Sequence, residues 1–126
     1  MGAVVIALCG LADAKDHHGA PLPPGSRSFD ASAAGAADKR TRDLFVSGRG
    51  FRKSVQHVQR QLRRRGIAHK AVPIYRHRGT TVARFVSQHG STGWCAVQVY
   101  RTRGKTFVFV VPRSGRKNCE GPEPAK

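Results

Sequence analysis

The stretch Trp94-Cys95-Ala96-Val97-Gln98-Val99-Tyr100-Arg101-Thr102-Arg103-Gly104-Lys105-Thr106-Phe107-Val108-Phe109-Val110-Val111 decides the fold. It holds two runs of β-branched and aromatic residues, split by Arg103-Gly104, a two-residue hairpin signal. Thr102 then opposes Lys105, Tyr100 opposes Phe107 and Gln98 opposes Phe109. Successive strand side chains alternate between faces. One face therefore takes Trp94, Ala96, Gln98, Tyr100, Phe107, Phe109 and Val111. The other takes Cys95, Val97, Val99, Arg101, Thr106, Val108 and Val110. Both faces are largely apolar, so both need cover.

Upstream, residues 71–76 and 81–87 have strand composition, and Pro73 suits an edge strand because it cannot donate to a ladder. From Phe51 to Arg65 the apolar residues Phe51, Val55, Val58 and Leu62 recur at steps of four, three and four, a helical period. Gly66 is placed to end that helix in the left-handed conformation. Leu44-Phe45-Val46-Ser47 makes a short strand before it. The expected fold is α+β, with one amphipathic helix packed on a four- to five-stranded antiparallel sheet. The helix covers one face, so the second calls for another layer, a ligand or a second copy of the chain.

The charge distribution is lopsided. Residues 44–119 contain 17 Lys and Arg and no Asp or Glu, and the whole chain carries a net charge of +16. All seven carboxylates lie at Asp13, Asp16, Asp30, Asp38, Asp43, Glu120 and Glu123. Residues 44–119 cannot neutralise themselves, so their charges face water or a polyanion. Paired-acid hydrolysis and carboxylate-held magnesium or calcium sites are excluded within them.

The apolar run at residues 3–12, followed by Ala12-Asp13-Ala14, fits a signal peptide over residues 1–14. It is too short to span a bilayer, which takes about 20 residues. Export to the periplasm or outside follows from that reading. A cytoplasmic location follows if the run is a buried strand instead. Residues 15–43 are rich in Gly, Pro, Ser and Ala and read as a flexible linker, because little there can be buried against the ordering entropy. Residues 120–126 form a C-terminal tail. His17-His18 reads as polar filler of the linker, and neither a metal nor a cofactor is expected. With Cys9 removed in the signal, Cys95 and Cys119 are left to form a disulfide that strengthens a small, charge-strained domain.

The function indicated is polyanion binding, with single-stranded RNA or DNA foremost. The candidate contacts are Phe45, Arg60, Arg63, Arg64, Arg65, Arg76, Arg78, Trp94, Tyr100, Arg101, Arg103, Lys105 and Phe107. The cations would hold phosphates and the aromatics would stack on unpaired bases, at about 1–3 kcal/mol per base. A metal-independent ribonuclease is the enzymatic alternative. His57, His77 and His89 are its weak acid–base candidates, and an anionic envelope polymer is the structural alternative. Leu44-Phe45-Val46-Ser47-Gly48 and Arg103-Gly104-Lys105-Thr106-Phe107-Val108 resemble the two nucleic-acid-binding strands of the RRM family. That resemblance implies that Phe45 and Phe107 stack on bases from one shared sheet face. Lys105 and Thr106 depart from the family pattern, and no second helix follows Val111.

Overall fold

A computed structural model describes residues 15–29, 43–114 and 119. The expected signal segment, residues 30–42 of the expected linker and the C-terminal tail lie outside these residues. In chain order the elements are β1 (Asp16–His17), β2 (Ala20–Pro21), β3 (Arg27–Ser28), β4 (Leu44–Val46), α1 (Phe51–Arg64), β5 (His69–His77), β6 (Thr80–Ser87), β7 (Trp94–Thr102) and β8 (Lys105–Pro112). Strands β3-β4-β8-β7-β6-β5 form a six-stranded sheet, and β1-β2 form a separate hairpin. Every strand pairing among the described residues is antiparallel. The α+β class holds, with more strands than the four or five expected.

Local chemistry sets the connections. The turns His18-Gly19, Arg78-Gly79 and Arg103-Gly104 each place two successive residues at positive φ. That conformation matches the twist of the flanking strands, and glycine adopts it without a Cβ clash. Helix α1 ends with Arg65 as its C-cap. The Gly66 amide donates to the Arg63 carbonyl at 3.1 Å and the Ile67 amide to the Leu62 carbonyl at 3.0 Å. This pair of bonds is the Schellman arrangement, and Ile67 packs onto the core beside it. Pro73 sits on edge strand β5, within a register shift between Val72 and Tyr75. The bulge absorbs the missing N–H, and it blunts an edge that would otherwise invite pairing.

The helix-side core comprises Val58 and Leu62 of α1 with Phe45, Ala83, Phe85, Val97, Val99, Val108 and Val110 of the sheet. The register expected for the β7-β8 hairpin is found from Ala96 to Thr102. Between Trp94 and Ala96 the register shifts, pairing Trp94 with Pro112. That bulge exchanges the faces of two residues. Trp94 enters the helix-side core, fully buried, while Cys95 packs with Val86, Val72, Val111 and Cys119 on the opposite face. A strict alternation had assigned each to the wrong side.

Residues 15–29 are not a linker. They supply β1, β2 and β3, and Ala20, Pro21, Leu22, Pro23 and Ser26 are all buried. Within the arm the Leu22 amide donates to the Lys15 carbonyl at 2.9 Å, and a bidentate Arg65–Asp16 pair at 3.0 Å ties the arm to the end of α1. At its far turn the backbones of Gly25 and Gly48 meet, so that a Cβ built on either would lie 3.1 Å from the other's Cα. The composition argument failed because proline is apolar and loses little freedom on folding, so a Pro-rich segment can be ordered at low entropic cost.

Cys95 and Cys119 form a disulfide with Cα atoms 5.0 Å apart, closing a loop of sequence separation 24. No helix among the described residues is long and apolar enough to cross a membrane. Replacing Leu22 with Ala should cost about 2–5 kcal/mol by chemical denaturation, the range for emptying a buried leucine site; a flexible linker would show no change. Cys119→Ser should cost about 3 kcal/mol under non-reducing conditions and nothing further once the wild type is reduced.

Candidate polyanion-binding surface

Cross-strand pairing fixes which cations share a face. Arg76 pairs with Thr81, Thr81 with Arg101, and Arg101 with Thr106. This row lies on the helix side of the sheet, because Ala83 and Phe85, two and four residues from Thr81 on β6, face the helix core. Arg76 and Arg101 are therefore two strands apart, roughly 10 Å at the usual strand spacing. With Gly79, Thr81, Arg103 and Gly104 they line an open groove at the turn end of the sheet. Neither turn glycine puts a side chain in the way. Arg78 and Lys105 are also exposed at this end.

A second group lies on the helix. Gln56, Gln59, Arg60, Arg63 and Arg64 line one shallow surface of α1, as spacings of three and four residues require. Arg60, Arg63 and Arg64 are exposed. The helix has no acidic residue in its first turn and no side-chain cap. Arg52 and Lys53 stand there instead, at the positive end of the dipole, each disfavoured by about 0.3–1 kcal/mol. Arg63 and Arg64 occupy the last turn, where the dipole favours them. Arg65 differs from its neighbours, since its guanidinium is already engaged by Asp16.

The aromatic candidates separate. Phe45 and Trp94 are buried in the helix-side core and have no free ring face to offer. Phe107 is paired with Val46 and Tyr100 on the opposite face, so Phe45 and Phe107 point to opposite sides of the sheet. The RRM-like arrangement of two stacking rings on one face is therefore absent from the described residues. On the helix-free face Tyr75, Val82, Tyr100, Phe107 and Val46 form one transverse row. Phe107 meets the edge of Phe29 at 6.5 Å, and the Tyr100 hydroxyl donates to Gln98. Tyr75, 47% exposed, is the open ring of the row. Which face Tyr75 occupies is hidden from the sequence by the bulge in β5.

The three candidate acid–base histidines, His57, His77 and His89, do not converge. His77 pairs with Thr80 at one end of β6, and His89 follows Ser87 at the other, so most of an eight-residue strand, about 25 Å, lies between them. His89 belongs to a loop held by Arg113, whose guanidinium donates to the His89 carbonyl at 2.9 Å and to the Thr92 carbonyl at 2.6 Å. His57 stands apart, in a cleft of about 490 Å³ between the arm and the helix, lined also by Lys15, Asp16, Leu22, Pro24, Gln61 and Arg65. Burial, followed by the nearby charges of Arg60, Arg49 and Arg65, pushes its pKa below the usual histidine value, while a backbone hydrogen bond at Leu22 opposes the shift. The imidazole is thus neutral at pH 7 and adds no charge to the surface.

That shift has a sign that can be tested. Below about pH 6.5, the ordinary histidine value, the unfolded chain binds a proton at His57 that the folded chain resists, so stability falls as pH drops from about 7 through the lowered folded value. His57→Gln should remove part of this acid-side loss, read as denaturation midpoints at pH 7.5 and 5. An unchanged pH slope would contradict the assignment. Neither a protein-family model, a curated protein nor a solved structure matches this chain.

Proposed function

We propose that this protein binds a polyanion, with single-stranded nucleic acid foremost, through the exposed face of α1 and the groove at the turn end of the sheet. One observation carries the reading. Asp16 and Asp43 are the only carboxylates among the described residues, and each is already engaged, by Arg65 and by His17 with His18. Arg60, Arg63, Arg64, Arg76, Arg101 and Arg103 are left to find their counter-charge outside the described residues. Arginine favours phosphate over a generic anion because its planar fork donates two parallel hydrogen bonds.

The placement of the aromatics changes how nucleic acid would be held. With Phe45 and Trp94 in the core, base stacking falls to Tyr75 and Tyr100, on the face away from Arg76 and Arg101. Backbone phosphate contact then dominates, and recognition is largely independent of base sequence. The Cys95–Cys119 bridge supports an oxidising compartment, in keeping with export. A ribonuclease has less support, since His57, His77 and His89 fall in three separate places.

Fluorescence anisotropy with a labelled single strand tests the proposal. Six phosphate contacts on a single strand predict a slope of log K against log salt of about −4. Exchanging Arg60, Arg63 and Arg64 together for Gln should bring the slope to about −2 while leaving the fold intact, since all three side chains are exposed. An affinity that ignores salt would end the polyanion reading. Equal competition by heparin or teichoic acid would leave the polyanion and remove the preference for nucleic acid.

A further inference from the structure

His17, His18 and Asp43 lie far apart in sequence and meet at one point. The Nε2 atom of His17 lies 2.7 Å from Asp43 Oδ1, and the Nε2 atom of His18 lies 3.1 Å from the same oxygen. Adjacent residues of an extended strand point to opposite faces. Here the turn prevents that. His18 has a φ of 55° in the β1-β2 turn, which folds its imidazole back beside that of His17, with ring centroids 4.2 Å apart. The His17 ring is itself backed by Phe45, edge-on at 4.8 Å. Asp43 is fixed from the other side, where its carbonyl accepts from the Val110 amide of β8 at 3.0 Å. Its carboxylate is buried, while the two imidazoles reach solvent.

From this geometry we infer that His17, His18 and Asp43 form a binding site for a first-row transition dication of the zinc class. Two imidazole nitrogens and one carboxylate oxygen are the donor set that zinc accepts when it keeps a fourth position for water. One ligand atom from each residue lies within 4.8 Å of the others. Ligand bonds of about 2.0–2.2 Å at a tetrahedral angle place donor atoms roughly 3.3–3.5 Å apart. The histidine nitrogens therefore move slightly outward from the carboxylate oxygen, and, lying within 4.8 Å of each other, they draw together to the same spacing as an ion enters between them. No electron is exchanged. Without the ion the Nε2–H groups donate to the Asp43 carboxylate. On binding, each imidazole passes that proton to water and takes one up on Nδ1, so that the Nε2 lone pair meets the metal while the carboxylate stays ionised. Borderline nitrogen donors favour zinc, cobalt, nickel or copper over magnesium or calcium.

The consequence of binding is mechanical. Two ligands come from the arm and the third from the residue preceding β4, so the ion fastens the β1-β2 hairpin to the main sheet at the start of β4. A ligand that binds only the folded chain stabilises it by mass action. The site stands apart from the arginine surface proposed above, and neither depends on the other.

The test uses the full chain stripped of metal with a chelator. Titration with zinc by calorimetry, and with cobalt by its visible d–d absorption, should show one ion per chain. Zinc at 100 times its Kd should raise the unfolding midpoint by at least about 5 °C. His18→Asn is the decisive variant, because asparagine tolerates the left-handed turn while removing the imidazole. It should weaken zinc by tenfold or more and abolish the thermal shift, whereas His77→Gln and His89→Gln should leave both unchanged. His17→Gln gives an independent check where Asp43→Asn fails to fold. No saturable binding below about a millimolar, or equal affinity in His18→Asn and wild type, would overturn the site and leave a metal-free hydrogen-bonded staple.

Discussion

A single helix has to shield the inner face of a wide sheet. The fourteen residues of α1 give a rod about 21 Å long and 10–12 Å across. Six strands at about 4.8 Å each make a sheet more than 24 Å wide. The apolar row of Val97, Val99, Val108 and Val110 extends toward Trp94 and Phe45, beyond what the rod can cover. The arm closes the gap. Ala20 and Leu22 belong to the same core cluster as Val58 and Leu62, and the His18 backbone lies directly over Gly93, where a Cβ would approach the His18 carbonyl oxygen to 3.0 Å. The size of the sheet thus makes residues 15–29 part of the fold.

The arm also accounts for the charges. It brings Asp16 to Arg65 and sets His17 and His18 on Asp43, so both described carboxylates serve to dock it. An exposed pair such as Asp16–Arg65 contributes at most about 1 kcal/mol. These contacts therefore orient an arm whose stability comes from buried Ala20, Pro21, Leu22 and Pro23. Once those acids are spent on positioning, the helix exterior and the sheet turns keep their repulsion. An anion bound to that surface would relieve the repulsion and so stabilise the compact fold by mass action.

The candidate surface was legible in part. The excess of Arg over carboxylates needs no structure, because it is a count. Grouping Arg60, Arg63 and Arg64 needs only the helical period. Grouping Arg76 with Arg101 needs the pairing of β5, β6 and β7, which are joined by hairpins whose registers a sequence only partly fixes. The aromatic residues were misplaced for a definite reason. Trp94 changes face at a bulge, and a single inserted residue inverts every inference drawn from period-two alternation. Phe45 sits on a three-residue strand, too short to carry an alternation signal at all.

The sequence by itself determined the helix and its glycine stop, the Arg103-Gly104 hairpin, the register from Ala96 to Thr102 and the pairing of Cys95 with Cys119. Each depends on contacts near in sequence or, for the cysteines, on setting Cys9 aside with the expected signal segment, which leaves one pair. Only the tertiary structure decided that the Pro-rich arm is buried, that Trp94 and Cys95 trade faces, and that His17, His18 and Asp43 meet. Those outcomes depend on which distant surface is left uncovered when the helix has packed. That is a property of the assembled sheet and of no local stretch of chain.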